Sequence, residues 1–338
     1  MKKFLTLAFA LVFTTGIAFG QAHQANIDQV GSNNESDLTQ QSITESSPSE
    51  ANISQNGNLN ATTLEQLEFG LGGHFAEIKQ TGTKNEVDAR TQGHQHNLYI
   101  DQEGNENRAG ADGVTGVKTL NLGDEIDIDQ LGNKNEADVY LWPGDNNATV
   151  FQDGNRNSAD ISYDGQNGSP SFEGMELRVY QDGNRNIGNI NVEFDIAGTI
   201  GGEADIVQLG NDNEGYIDQL DGIDTAEMRQ SGDSNFGSVE QADGGNTFTL
   251  VQKNGALNEA RLNQSGGGTA NILQKGSQNI VQGITGASSV GVSANGSILD
   301  VDQLGTGNTL SLNQTDGSTA TVFQEGTSNT STVTQVNN

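Results

Sequence analysis

A short motif, Gln-x-Gly-x-x-Asn, recurs along almost the whole length of this 338-residue chain. Self-similarity at a steady period is typical of a repeat architecture, in which each unit contacts only its neighbours. Successive copies lie 21 to 29 residues apart, most often 22. The thirteen copies begin at Gln29, Gln55, Gln80, Gln102, Gln130, Gln152, Gln181, Gln208, Gln230, Gln252, Gln274, Gln303 and Gln324, and the copy at Gln252 carries one inserted residue.

Apolar and polar residues alternate on both sides of each motif. The residues two and four before each Gln are always apolar, as Ile27 and Ala25 are in the first copy. The residue four after the Asn is apolar too, as in Leu38, although Gly283 stands there in one copy. Alternation with period two predicts a strand with one buried face. Each repeat is therefore predicted to be strand, tight turn, strand.

Two short strands bury too little apolar surface to be stable alone. The repeats must therefore stack, so that first strands form one parallel sheet and second strands another. The predicted fold is all-β, a β-solenoid of about thirteen strand-turn-strand rungs in two parallel, cross-β sheets, with rungs ~4.8 Å apart. Proline is excluded from strand interiors, and Pro48, Pro143 and Pro170 all fall between repeats, where the extra residues of the longer repeats are also expected.

The Gln and Asn of the motif are never replaced in the thirteen copies. A buried amide costs roughly a few kcal/mol if it is unpaired. Stacked on an identical residue, it can donate to one neighbour and accept from the other. We therefore predict Gln and Asn ladders along the stack. The glycine is predicted to supply the one positive φ that each tight arc needs.

A second Gln, six residues after the Asn, is present in seven copies only. It is retained as Gln40, Gln66, Gln219, Gln241, Gln264, Gln314 and Gln335, and replaced by Thr91, Gly113, Leu141, Tyr163, Val192 and Thr285. The two repeats at each end keep both Gln positions, so we predict that self-assembly depends most on the terminal repeats; a chance distribution is the alternative. The ladder residues concerned are Gln29, Gly31, Asn34, Gln40, Gln55, Gly57, Asn60, Gln66, Gln303, Gly305, Asn308, Gln314, Gln324, Gly326, Asn329 and Gln335.

Residues 1–20 are expected to be a secretory signal peptide. Lys2 and Lys3 precede an apolar run, and Ala18 and Gly20 supply the small residues of a cleavage site. Residues 21–338 then form a single repeat domain, with the first repeat near 23–40 and the last near 318–335. No second apolar run of spanning length follows, so no membrane span is expected after cleavage. The chain has no cysteine, so an exported protein would lack disulfides.

Neither end of the repeat array is expected to carry a cap. The first rung starts shortly after the expected cleavage site, and three residues follow Gln335. Uncapped rungs expose unpaired backbone groups. Head-to-tail stacking without a closing rotation yields an open filament, so a second copy of the chain is the expected partner.

The charge excludes some other partners. Fifteen basic residues stand against 45 acidic ones, for a net charge of −30. Nucleic acids and anionic membranes bind clustered Lys and Arg, so neither is expected. Outward Asp and Glu would slow association during export, or they form only a generic solvated surface.

Candidate chemical sites are weak. His74, His94 and His96 are expected to lie in solvated connections and not to bind metal. The stretch 123–127 lacks the glycine-aspartate nonapeptide of calcium-binding β-rolls, and Gly70–Gly73 does not link a strand to a helix as a phosphate loop does. Parallel β-helix enzymes that cleave polysaccharides remain a rival, but the connections here do not form a site-like cleft. We expect no catalytic residue and no cofactor.

The stretch Ala25 to Gln40, Ala-x-Ile-x-Gln-x-Gly-x-x-Asn-x-x-x-Leu-x-Gln, resembles the curlin repeat of the major subunit of curli, a bacterial extracellular functional amyloid. The resemblance extends to Gln335. It implies a fibre subunit secreted across two bacterial membranes to the cell surface, with roles in biofilm matrix, adhesion and aggregation. It also implies a curli-type secretion pore and a nucleator or chaperones as partners.

This chain departs from that family in having more repeats than the best-known curlins, no Gly- and Asn-rich segment after the leader, and six missing second Gln residues. The alternatives are a monomeric secreted β-solenoid adhesin or surface-binding protein, and a minor nucleating curli subunit.

Overall fold

The structure is a computed structural model that describes residues 23–42, 48–68, 72–110, 117–140, 145–165, 174–194, 202–219, 224–242, 244–283, 290–293, 296–314 and 317–335. The expected signal peptide lies outside these residues. Within them, the regular structure consists of β-strands, and no helix is long and apolar enough to cross a membrane.

The first strands of the repeats form a thirteen-stranded sheet, one strand for each motif. These strands are β1 (Gln24–Ser32), β3 (Glu50–Asn58), β5 (Phe75–Thr83), β7 (Asn97–Asn105), β10 (Glu125–Asn133), β12 (Asn147–Asn155), β14 (Glu176–Asn184), β16 (Glu203–Asn211), β18 (Thr225–Ser231), β20 (Thr247–Lys253), β22 (Thr269–Ser277), β25 (Ile298–Thr306) and β27 (Thr319–Thr327). Neighbouring strands are parallel and in register, so that Gln29 lies beside Gln55 and Gln55 beside Gln80. The predicted β-solenoid is confirmed.

The second strands form a fifteen-stranded parallel sheet. Its strands are β2 (Glu35–Ser42), β4 (Ala61–Glu68), β6 (Glu86–His94), β8 (Arg108–Ala109), β9 (Val117–Leu122), β11 (Glu136–Tyr140), β13 (Ser158–Gly165), β15 (Ile187–Phe194), β17 (Glu214–Gln219), β19 (Phe236–Ala242), β21 (Glu259–Ser265), β23 (Ile280–Gly283), β24 (Val290–Ser293), β26 (Thr309–Gln314) and β28 (Thr330–Gln335).

Two repeats contribute a split second strand, which corrects the expectation that extra residues fall only between repeats. Strands β8 and β9 pair with the same strand, β6, on either side of an insertion. Val117 therefore lies opposite Ala89, in the place that the motif spacing had assigned to Ala111. Strands β23 and β24 divide in the same way, and Val290 lies opposite Leu262.

The core is a thin apolar layer between the two sheets. Side chains that alternate along each strand, such as Ile78, Ile126, Val179 and Leu250, are completely buried. In the terminal rungs, four of the equivalent residues are only partly buried, namely Ile27, Leu38, Val322 and Val333. Each rung therefore completes the core of its neighbours, as expected for a stacked repeat.

Of the three prolines, Pro48 lies between β2 and β3 as predicted. Pro143 and Pro170 fall outside the described residues.

Candidate functional site

The predicted glutamine ladder runs through all thirteen rungs. The Nε2 of each Gln donates to the Oε1 of the next Gln at 2.6–3.0 Å, in twelve consecutive hydrogen bonds. The second hydrogen on Nε2 is also used: Gln152 Nε2 donates to the carbonyl of Glu136 on the opposite strand at 2.9 Å. Both hydrogen-bonding functions of the buried amide are thereby satisfied.

The asparagine ladder works differently from the amide-to-amide pairing that we predicted. Asn60 accepts, through Oδ1, a hydrogen bond from the backbone N–H of Asn85 at 3.1 Å. Its Nδ2 donates to the carbonyl of Gly82 at 3.2 Å. Each Asn therefore links its rung to the backbone of the next, and direct amide-to-amide bonds join this pattern from Asn213 onward. Aspartate could not supply the Nδ2 donor.

The motif glycines form a column in which carbonyls and α-carbons nearly touch. A Cβ on Gly104 would lie 1.8 Å from the carbonyl oxygen of Gly132 in the next rung. Gly104 has φ 122°, as predicted, but a second residue of the same arc, Glu106, is also left-handed at φ 59°. Close approach, as well as backbone conformation, therefore requires glycine here.

The second Gln column is a broken ladder. Gln40 Nε2 donates to Gln66 Oε1 at 2.9 Å, but Thr91 follows Gln66 and is buried. The ladder resumes from Gln219 through Gln241 to Gln264 at 3.2 Å per bond.

One rung before the carboxyl end of this column, Gln314 is buried and its Nε2 donates to the carbonyls of Ile298 and Ser318. Among the replacements, Val192 is buried, whereas Gly113, Leu141 and Thr285 lie outside the described residues. The apolar Val192 shows how the core closes in a rung without the second amide.

A further column of side chains, which the sequence analysis missed, lies on the opposite arc of the solenoid, where the chain passes from the second sheet back to the first. Its members lie six residues before each ladder Gln, immediately before each strand of the first sheet. Its side chains commonly accept a hydrogen bond from the backbone N–H of the next member, as Asp124 Oδ1 does from Asn146 at 2.9 Å. The members are His23, Ser49, His74, His96, Asp124, Asn146, Met175, Gly202, Asp224, Asn246, Gly268, Ser297 and Ser318. Most members of the column share a hydrogen-bond acceptor atom, but they do not share one residue type.

The expectation that His74 and His96 are solvated is wrong. Both are buried in this column, 1% and 0% exposed, with stacked rings whose centroids are 5.1 Å apart. The Nδ1 of His96 accepts from the backbone N–H of Asp124 at 3.2 Å, and its Nε2 lies 3.0 Å from the carbonyl of Gln92. A neutral imidazole protonated on Nε2 satisfies both contacts. The third histidine, His94, is the last residue of strand β6 and does not lie in a connection.

Asp124 is an acid of the column whose pKa is strongly shifted. Its carboxylate is buried, and this desolvation raises its pKa to about 7, although hydrogen bonds from Asn146 act in the opposite direction. The Oδ2 atom lies 3.5 Å from His96 Nδ1. Glu125 and Asp127 of the same stretch point outward instead, so these acids do not converge on one calcium ion.

Within the described residues, no group of three or more His, Asp or Glu side chains is arranged to hold a metal ion. Gly72 of the glycine-rich stretch lies outside the strands with φ 106°, whereas Gly70 and Leu71 are outside the described residues. Within the described residues, the ladders and the terminal rungs of the stack are therefore the features from which a function is argued.

The ladders have a direction, which makes the two ends of the described solenoid different. Within the described residues, no side chain donates to Gln29 Oε1 at the amino-terminal rung. At the other end, Gln324 Nε2 turns to the carbonyl of Thr309 and to Ser331 Oγ at 3.0 and 3.1 Å. One face therefore presents the acceptor end of the ladder. The other presents its donor end, whose Nε2 is held by Thr309 and Ser331 in the single chain.

The fold and its side-chain columns define the class of the protein as a β-solenoid with stacked amide ladders. Comparison with models of known protein families and with curated proteins gives no match.

Proposed function

We propose that the chain is a structural subunit of an extracellular, curli-type amyloid fibre that grows by head-to-tail stacking of solenoid ends. The observation that carries the proposal is the uniform direction of the glutamine ladder, which leaves a donor at one open face and an acceptor at the other. Faces that are complementary but not identical favour a heterologous contact, and such contacts build filaments.

The contact can be written atom by atom from the interior rungs. Gln324 Nε2 of one copy would donate to Gln29 Oε1 of the next, as interior Gln pairs do at 2.6–3.0 Å. The backbone N–H of Asn34 in the second copy would donate to Asn329 Oδ1 of the first. Two amide ladders would thus continue from one molecule into the next with unchanged geometry.

Burial favours the same contact. Ile27 and Leu38 at one end, and Val322 and Val333 at the other, pack only partly against the core. The corresponding residues of interior rungs are buried almost completely. Stacking would remove apolar surface from water, at about 25 cal/mol per Å².

The remaining parts of the proposal follow from the resemblance to curlin repeats. They are secretion to the bacterial surface, a curli-type pore with a nucleator or chaperones as partners, and roles in biofilm matrix, adhesion and cell aggregation. No catalytic activity and no cofactor belong to this function. The net charge of −30 opposes association until screening or a templating end overcomes it.

Seeded growth of truncated chains tests the proposal. We expect deletion of residues 25–66, which removes the two amino-terminal rungs with both Gln columns, to abolish seeding by wild-type fibres. Deletion of the two central repeats over 124–174 serves as the control and should leave seeding largely intact. Equal seeding by the two truncated chains would contradict dependence on the terminal rungs. A full chain that stays a β-rich monomer would favour a surface-binding solenoid instead.

A further inference from the structure

A groove of about 350 Å³ runs along the turn edge of the solenoid, away from both ends. Two stacked columns line it in consecutive rungs. One contains the asparagines Asn133, Asn155 and Asn184, and the other contains the cations Lys134, Arg156 and Arg185, each one residue further along the chain. The repeat places these three cations in register in a chain whose net charge is −30.

The outer cations of the row are paired, whereas the middle one is not. Lys134 Nζ lies 3.2 Å from Glu106, and Arg185 forms two hydrogen bonds to Asp212 at 2.5 and 2.6 Å. Arg156 is exposed, and within the described residues its guanidinium forms no hydrogen bond or ion pair. A planar guanidinium with free N–H groups is suited to a bidentate carboxylate or other oxyanion.

The asparagine column offers further donors beside Arg156. Asn133 Nδ2 donates to Asn155 Oδ1 at 2.8 Å, and Asn155 Nδ2 donates to Asn184 Oδ1 at 2.9 Å. Each of these amides keeps a second N–H that the column does not use. These donors recur once per rung, at intervals of ~4.8 Å.

We propose that this groove binds an acidic polysaccharide, a chain of uronic acids that lies along the solenoid axis. One carboxylate pairs with Arg156, and neighbouring sugar oxygens accept hydrogen bonds from the Asn amides. A 1,4-linked pyranose advances its chain by nearly one rung spacing, so successive sugars meet successive rungs. The site lies on the flank of the solenoid, and the proposal does not depend on fibre formation.

A nucleic acid fits this groove less well. Single strands are held by a long basic channel together with aromatic side chains on which bases stack. The lining of this groove consists of asparagine and three cations, two of which are already neutralised by acids.

The test is binding of fluorescently labelled hexagalacturonate to the full chain, measured by anisotropy at low ionic strength. The Arg156→Gln variant removes the unpaired cation, and Gln278 shows that glutamine adopts the same left-handed backbone at this position of another rung. Lys275→Gln, on the exposed surface of β22, removes an equal charge elsewhere. We expect about 10-fold or greater weakening for Arg156→Gln and less than about 2-fold for Lys275→Gln.

Equal effects of the two substitutions would overturn the site, as would undiminished binding by Arg156→Gln. Neutral maltohexaose should not bind, and equal binding of this sugar would overturn the role of the carboxylate. An oligothymidylate of similar length that binds more tightly, and loses this affinity in Arg156→Gln, would overturn the polysaccharide in favour of a nucleic acid.

Discussion

Substitution of Gly326 separates the folding of one chain from the stacking of two. Gly326 belongs to the last rung, and the nearest atom to a Cβ added there is Asn329 Nδ2 at 3.6 Å, an ordinary contact. In an interior rung the same Cβ meets the next rung, as at Gly305, where it would lie 2.0 Å from the carbonyl oxygen of Gly326. Gly326→Ala should therefore obstruct the next molecule of a fibre while leaving its own fold in place.

The magnitude follows from the hydrogen bonds of one interior arc. To relieve a 2.0 Å contact, the incoming rung must retreat by about 1 Å or more, which breaks the short bonds between the two arcs. Between the arcs of the last two rungs there are four such bonds. They are Ser328 N to Thr306 O, Asn329 N to Asn308 Oδ1, Asn329 Nδ2 to Asn308 Oδ1 and Asn308 Nδ2 to Gly326 O. At about 1 kcal/mol each, their loss costs about 4 kcal/mol and raises the critical concentration roughly 1,000-fold.

The assay is the critical concentration for fibre growth, measured by sedimentation, with circular dichroism of the unassembled chain as a check of folding. Gly296→Ala is the matched control, because Gly296 also has a positive φ, 82°, but an added Cβ would meet nothing within 4 Å. Both variants carry the same kind of backbone penalty, and only Gly326→Ala adds the obstruction. The reasoning is refuted if the two variants have the same critical concentration.

Three further predictions concern the ladders and the charges. Gln152→Leu should lower the free energy of unfolding by roughly 2–4 kcal/mol, because the buried amides of Gln130 and Gln181 lose their ladder partner. Asp153→Leu is the control, at an outward position where Leu131 stands one rung away, and it should change the free energy of unfolding little. Titration with guanidinium measures both variants. Burial raises the pKa of Asp124 to about 7 in the folded chain, so its charge opposes folding increasingly between about pH 4 and 7 and constantly above. Asp124→Asn introduces a residue that the column already carries at Asn146, and it should therefore stabilise the chain by roughly 4 kcal/mol at pH 8 and hardly at all at pH 4. Equal gains at both pH values would contradict this. Raising the ionic strength from about 0.01 to 1 M shortens the Debye length from about 30 to 3 Å, so the lag phase of fibre assembly should become shorter. A lag phase that lengthens with salt would exclude charge repulsion as the barrier to assembly.

The fold was predictable because the information is local and repeated thirteen times. Alternation around residues such as Ile27 and Leu38 identifies the two strands of a rung, and the unvarying Gln identifies the buried ladder. Stacking then follows from the small area that one rung buries. The register of the first sheet needs nothing more than the motif itself.

The features that were missed depend on residues whose identity varies or whose neighbours are distant in sequence. The column of His74, His96 and Asp124 shares acceptor atoms and not residue type, so a search for identical positions overlooks it. These residues contact one another across neighbouring rungs, as the stacked rings of His74 and His96 do, and these neighbours are more than twenty residues away in sequence. The row of cations that contains Arg156 was missed for a related reason. In the sequence each cation is an ordinary turn residue, and the row forms only when the rungs stack. Insertions that split a strand, as before Val117, cannot be located from spacing alone.

The central claim is that open solenoid ends template one another. The most direct measurement releases residues 21–338 from denaturant at low concentration and follows the chain by electron microscopy and fibre diffraction. We predict filaments with a meridional reflection near 4.8 Å that seed fresh monomer, with the strands perpendicular to the fibre axis. A stable β-rich monomer that neither grows nor responds to seeds would contradict the account.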